Sequence, residues 1–316
     1  MVESWYKYMD VGTLHFMSFP DVGKGEGPVA ETLEKILQDD FFTAVEITHI
    51  KDDGVREQVK KMLETSHVIS SYVTHPRLLS NKLDINSLNE EERKKAVAAV
   101  KEGIEEAAYL GAIGVSVLSG PHPGKGLEKE GVQKLLESLE ELCDYSQKYH
   151  LAFELETFDV DVDKKCLIGK SDLAATVAQK IRTKYPNFGL ILDLSHLPLQ
   201  YEPTKTAVKN CARYSTHLHI GNCVLKDRNH PAYGDQHPRF GVKGGENDVD
   251  QLREFFEALF EEGFLKNAPA AKAEEKPLIS FEVKPMAGEN PALVLANSKR
   301  VFKRAWALLS VGKESV

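Results

Sequence analysis

Eight short apolar runs punctuate this chain, and patterns of helical period lie between them. The runs fall at 13–19, 43–48, 67–73, 113–119, 151–156, 188–194, 215–220 and 278–283. Each has the length of a strand rather than a helix. The third is the least clearly bounded, since its strand character starts as well at Ile69 as at His67. Between the runs, PVAETLEKILQDD, NEEERKKAVAAVKEGIEEAAYLG and EGVQKLLESLEELCDYSQKY repeat apolar residues with a period near 3.6. LNEEER places acids where a helix N-terminus favours them, and Gly111 stands where that helix would end.

Eight strands alternating with helices predict an α/β fold, the (β/α)8 TIM barrel, which typically needs about 250 residues. The chain has 316. We therefore expect one barrel domain over 1–316, with a long insertion after the seventh strand at about 221–247. Residues 266–277, KNAPAAKAEEKP, are of low complexity and read as a surface loop. They make a poor domain boundary because a strong strand follows at once. A doubly wound open sheet is the alternative, but it carries a glycine fingerprint after its first strand. Here that position reads SFPDVGKGEGP, with no clean GxGxxG and no Walker lysine.

Composition narrows the class. With 42% hydrophobic and 28% charged residues, and no apolar stretch near the roughly 20 residues of a membrane span, a soluble protein without a membrane partner is expected. The start, MVESWYKYMDVG, lacks the basic-then-apolar order of a signal peptide, which points to the cytoplasm. Cys143, Cys166, Cys211 and Cys223 never form a CxxC pair and read as buried or incidental thiols. A net charge of −8 disfavours nucleic acid as a general partner.

Chemistry collects where strands end. AFELETFD carries Glu156, GLILDLSH carries Asp193, THLHIGN carries His219 and LISFEVKP carries Glu282. Three carboxylates and one imidazole suit Mn²⁺, Mg²⁺ or Co²⁺ better than a thiolate-type zinc site. Alternation sets Phe153 and Leu155 against Glu154 and Glu156, and Ile279 and Phe281 against Ser280 and Glu282. Both terminal glutamates then face the barrel mouth, where active sites of this architecture lie. Glu154 shares that orientation; Glu156 is preferred because it lies nearer the strand's end. One such acid could simply cap the next helix, but four on successive strands call for a common purpose.

Histidines add to the pattern. His49, His75, His122, His196, His219 and His237 lie at or just past strand ends. His15, inside the first run, and His217, two residues below His219, read as core or supporting groups. His67 and His150 sit at strand starts and His230 in the long loop, which suggests structural or surface roles.

The series Glu156, Asp193-x-x-His196, His219-Ile-Gly and Glu282 resembles the xylose isomerase-like TIM-barrel superfamily over essentially the whole barrel. That superfamily includes ketose 3-epimerases, hydroxypyruvate isomerases, inosose dehydratases, C-glycoside deglycosidase catalytic subunits and endonuclease IV repair enzymes. The resemblance implies one divalent metal held by Glu156, Asp193, His219 and Glu282, with Mn²⁺ the first choice and Mg²⁺, Co²⁺ or Zn²⁺ as alternatives. It implies substrate contacts from His196 and from an arginine after the seventh strand, for which Arg239 in DQHPRFG is the candidate. His75, His122 and His237 are further substrate-binding candidates.

The implied activity is isomerisation or epimerisation of a small carbohydrate. A metal chelated by a carbonyl and its neighbouring hydroxyl stabilises the enediolate left by α-proton removal. Catalytic glutamates on opposite sides, Glu156 and Glu282, would take and return the proton. Lys164 and Lys165 could hold an anionic substituent, though a solvated loop pair is the simpler reading.

Three rivals share the fold. A lyase resembling the C-glycoside deglycosidase catalytic subunits would eliminate from 3-keto glycosides and take a small non-identical subunit; HFMSFP and the histidine-rich long loop are similar to that group. An endonuclease IV-like phosphodiesterase would hold three zinc ions with help from His75, His122 and Asp235-Gln-His237. Against it stand the acidic charge and the absence of basic, aromatic-bearing loops. A non-catalytic sugar-binding barrel has no need of two inward glutamates on a metal. Homo-oligomerisation is open.

Overall fold

Parallel pairing runs around almost the whole molecule in the computed structural model, which describes residues 3–266 and 276–309. The strands are β1 (Asp10–Thr13), β2 (Ala44–Ile47), β3 (Ile69–Val73), β4 (Gly114–Leu118), β5 (Ala152–Glu156), β6 (Phe188–Asp193), β7 (Ser215–Gly221) and β8 (Leu278–Glu282). They form one eight-stranded sheet in the order β1-β8-β7-β6-β5-β4-β3-β2. A parallel bridge between Leu14 and Glu46 joins its two edges, so the sheet closes into the expected barrel.

The described helices are α1 (His15–Ser18), α2 (Val29–Leu37), α3 (Asp53–Ser66), α4 (His75–Ser80), α5 (Glu90–Tyr109), α6 (Glu128–Gln147), α7 (Ser171–Arg182), α8 (Thr204–Cys211), α9 (Val249–Glu261) and α10 (Pro291–Ala307). Two of them, α1 and α4, are short turns directly after β1 and β3, beyond the eight helices of simple alternation. Their sequence signals hold up locally. Asn89 Oδ1 accepts from the N–H groups of Glu91 and Glu92 at the start of α5, whose first turn holds three glutamates. The same helix ends before Gly111, which sits at φ 75°. Asn290 caps α10, with Pro291 at its first position.

Seven of the eight expected strands form within two residues of their sequence bounds. The first does not. Residues 13–19 were expected as a strand, but β1 is the shorter, less apolar DVGT segment, and His15–Ser18 turns into α1. Thr13 Oγ1 and Ser18 Oγ lie 2.9 Å apart, and Phe19 N donates to His15 O at 2.8 Å, which closes the turn. Gly12 shows why so weak a strand former belongs there. A Cβ on it would lie 2.9 Å from Ser280 Oγ and 3.1 Å from the Ala44 backbone. Tertiary crowding between β8 and β2, rather than β-propensity, selects this residue.

Aromatic packing closes the space between β8 and α10. Phe41, Phe281 and Phe302 meet with ring centroids 5.7–6.0 Å apart. Each such buried ring contributes about 1.5–3 kcal/mol relative to exposure. All four cysteines are buried and without disulfides, as their spacing suggested. No described helix is long and apolar enough to cross a membrane. Most of the low-complexity segment, residues 267–275, lies outside the described residues.

Candidate active site

Register places the chemistry. Across β6 and β7, Asp193 pairs with His219; across β7 and β8, Gly221 pairs with Glu282 and His219 with Ser280. Residues of one parity on β5, β7 and β8 therefore meet in layers inside the barrel, near its C-terminal mouth.

His219 occupies the centre of the upper layer. Its Nδ1 lies 3.0 Å from Glu156 Oε1 and 3.0 Å from Glu282 Oε2, and its Nε2 faces Glu46 Oε1 at 3.2 Å. One ring hydrogen serves one acceptor well. Glu156 takes the hydrogen bond, and Glu282 Oε2 is left without a partner. Glu156 Oε2, 3.4 Å from His75 Nδ1, is likewise buried without a hydrogen bond. Orphaned carboxylate oxygens are expensive to bury. Their convergence on an imidazole fits a divalent cation, and Glu156, His219 and Glu282 each offer a ligand atom within 4.8 Å of the others.

A second group adjoins the first through Glu282. Asp193, His196, His237 and Glu282 also converge within 4.8 Å. His196 Nδ1 donates to the Thr157 carbonyl at 2.7 Å, which turns Nε2 toward Asp193 at 3.2 Å and Asp235 at 3.0 Å. Asp235 also lies 2.7 Å from His237 Nε2 and 3.1 Å from Lys164 Nζ. Asp193 is steadied by the N–H of Ser195 at 2.8 Å and by the Ser195 hydroxyl. The Phe158 ring covers His196 at 4.5 Å and meets His75 at 5.5 Å.

Beneath these lies a third set. Glu46, from β2, receives His217 Nε2 at 2.9 Å, while His217 Nδ1 lies 3.3 Å from Glu154 Oε2. Glu154 also accepts from Thr216 Oγ1 at 2.5 Å. Glu154 and Glu156 both face inward, as alternation required, but Glu156 alone of the two meets His219.

Ionisation follows from these neighbours. Burial pushes the Glu156 carboxyl up to about 7, with His219 opposing the rise and Glu282 adding to it. Burial acts in the same sense on Glu282, but His237 and His219 prevail and hold it down to about 2. Despite burial, Glu156 and Glu46 keep His219 well above the ordinary imidazole range. His217, beside Glu46 and Glu154, and His237, beside Glu282 and Asp235, overcome burial to reach about 9. His75 does not, and burial pushes it down to about 4.

Of the residues singled out from sequence, Glu156, Asp193, His196, His219, His237, His75 and Glu282 are brought together and buried. His122 is elsewhere: it is exposed, its Nδ1 accepts from Gly124 N at 3.1 Å, and its Nε2 lies 3.7 Å from Glu128. Arg239 pairs with Glu289 at 2.8 Å and makes no described contact with the cluster. His15 lies in α1 rather than in β1, 2.8 Å from Thr32 Oγ1. Lys164, read as solvated, is instead paired with Asp235. Glu46 was missed, although TAVEIT alternates as AFELETFD does and its one acid stands on the inward parity.

Solved structures of the same fold span nearly the whole chain. A D-tagatose 3-epimerase-like protein superposes with a TM-score of 0.69 at 18% identity, covering 95% of this chain and 98% of its own. An L-ribulose 3-epimerase gives 0.72 at 13% identity, covering 98% and 100%. The IolI protein with a bound zinc atom gives 0.71 at 15% identity, covering 96% and 100%. At these identities the likeness is one of fold. No curated protein is significantly similar in sequence. A family model described as the xylose isomerase-like TIM barrel matches residues 38–284, and the chain belongs to that family.

Proposed function

We propose that this protein is a divalent-metal-dependent isomerase or epimerase of a small carbohydrate, working by removal of a proton α to a carbonyl. The observation that carries the reading is the convergence of Glu156, His219 and Glu282 at the barrel mouth, with one oxygen of each glutamate buried and unpartnered. Asp193, paired with His219 across β6 and β7, completes the proposed ligand set. Mn²⁺ suits three carboxylates and one imidazole best, with Mg²⁺, Co²⁺ and Zn²⁺ as alternatives. The structural neighbours named as ketose 3-epimerases support the substrate class.

When bound, a divalent cation polarises a carbonyl and its neighbouring hydroxyl and so favours loss of the α-proton. This chain's residues do the rest. Glu156 and Glu282 come from β5 and β8 and each bring an oxygen to 3.0 Å from His219 Nδ1, one carboxylate taking the proton and the other returning it. His196, fixed by the Thr157 carbonyl with Nε2 on Asp235, would reach a substrate hydroxyl by exchanging that carboxylate contact. His237 and His75 lie beside Glu282 and Glu156, respectively. Phe158 supplies an apolar wall that keeps water from the reacting carbon.

One observation favours a second reading. Asp193, His196, His237 and Glu282, with Asp235 beside them, form an acid–histidine group of the kind a multi-zinc phosphodiesterase needs. Metal analysis of the purified protein, together with turnover of keto sugars and of an abasic-site duplex, separates the two. We expect one metal per chain and sugar turnover. Three zinc ions with strand cleavage would replace our reading by the second.

A further inference from the structure

Glu46 has no part in the proton transfer proposed above, yet it is fully buried and both of its oxygens are engaged. It rises from β2, and its neighbours are imidazoles on β7. Oε1 receives His217 Nε2 at 2.9 Å, and Oε2 lies 3.3 Å from His219 Nε2. An ionised carboxylate only accepts, so in the metal-free ring each nitrogen facing one carries a proton, and the proton on Nδ1, between Glu156 and Glu282, is the one a cation there would displace. With Nε2–H directed at Glu46, His219 presents Nδ1 to Glu156 and Glu282, 3.0 Å from each. The unpartnered oxygens, Glu156 Oε2 and Glu282 Oε2, belong to the carboxylates on that same Nδ1 side.

We propose that Glu46 is a positioning residue: it fixes His219 as the Nε2–H tautomer, with Nδ1 aimed at a divalent cation held with Glu156 and Glu282. The inference rests on the metal reading of that centre. A carboxylate on the far nitrogen of a ligating histidine orients the ring and raises its basicity. His217 keeps Glu46 in place, because Glu154 holds its other nitrogen at 3.3 Å. Geometry offers one rival, a cation among Glu46, His217 and His219. That would need the Nε2 lone pairs and would turn a His219 Nδ1–H toward Glu156. Both Glu46 oxygens are already satisfied, whereas the Nδ1 side holds the orphans, and this decides between them.

The test is Zn²⁺ titration of chelator-stripped protein by calorimetry for the unmodified chain, Glu46→Gln and Glu154→Gln, with melting curves recorded before zinc is added. ¹⁵N-histidine NMR of the zinc-loaded unmodified chain reads the His219 tautomer directly. We expect Nδ1 bound to zinc and Nε2 protonated. Glu46→Gln should still melt cooperatively, bind zinc about 10–100-fold more weakly, and lose the fixed Nε2–H signal. Glu154→Gln, which touches His217 but not His219, should change affinity far less. Zinc on His219 Nε2, or Glu46→Gln binding as tightly as the unmodified chain, would overturn the inference while leaving the metal centre standing. Failure of the unmodified chain to bind zinc would overturn the metal reading and this inference together. Should Glu46→Gln not fold, the tautomer in the unmodified chain still decides.

Discussion

Lys164 Nζ sits 3.1 Å from Asp235 Oδ2, and this ion pair ties the loop after β5 to the long loop after β7. Gln236 Nε2 donates to Asp163 Oδ2 at 3.1 Å beside it. The loop after β5 is itself organised by Asp159, a buried carboxylate that accepts the N–H groups of Val162, Asp163, Lys164 and Lys165. Glu156, Asp193, His196 and His219 are fully buried beneath. On the proposed function a substrate would need a path to them, and we expect parting of these two loops to supply it.

Lys164→Ala should loosen that tie. Asp235 would keep His196 and His237 as partners, so we expect a modest loss of about 1–3 kcal/mol in urea denaturation. Hydrogen exchange should quicken at 160–166, and KM should change more than kcat. Unchanged exchange there would mean that the ion pair does not hold the loops together.

Gly221→Ala tests the packing that brings Glu282 to His219. A Cβ at Gly221 would lie 2.4 Å from the Glu282 carbonyl oxygen and 3.3 Å from Ser195 Cβ. Because backbone blocks it, β7 and β8 must spread. A loss of about 1–3 kcal/mol is expected, as for other overpacked sites, together with weaker metal binding. Stability and affinity both equal to the unmodified chain would show that the strands yield without moving the site.

Asp84 carries a pH signature away from the cluster. Burial pushes its carboxyl up to about 6, with the Asn86 N–H opposing and Glu92 adding. Below about pH 4 the group is protonated in folded and unfolded chains alike, and it carries no penalty. From there to pH 6 the folded state binds more protons, so stability falls as pH rises; above pH 6 the penalty is complete. Asp84→Asn keeps an acceptor for the Asn86 N–H, bonded at 2.7 Å. Since Asp84 is only partly buried, we expect a gain of about 1–2 kcal/mol at pH 7.5 and none at pH 3.5, read by thermal melting. A gain of equal size at both pH values would contradict a charge-based cause.

The barrel was legible because strand and helix periods are both strong along this chain, and the strand-end acids were legible because parity alone points them inward. What escaped had tertiary causes. β1 contains Asp10 and Gly12, neither a strand former, and exists because β8 pairs with it and β2 crowds it. The run 13–19 was apolar for packing and not for pairing. His122 stands in a loop after β4, and no periodic rule orients loop side chains. Glu46 went unseen for a different reason: it lies mid-strand, and attention to strand ends hides a carboxylate whose partners are supplied by β7. The chemistry of loop residues such as Lys164 depends on which other loop folds over them.

The most direct test of the account is solvent-deuterium incorporation into a panel of keto sugars by the manganese-loaded protein, read by NMR and repeated in chelator and with Glu282→Gln. We predict exchange at the carbon next to the carbonyl of at least one sugar, abolished by chelator and by Glu282→Gln. Exchange that persists in chelator, or that survives Glu282→Gln undiminished, would contradict metal-assisted proton abstraction at this centre.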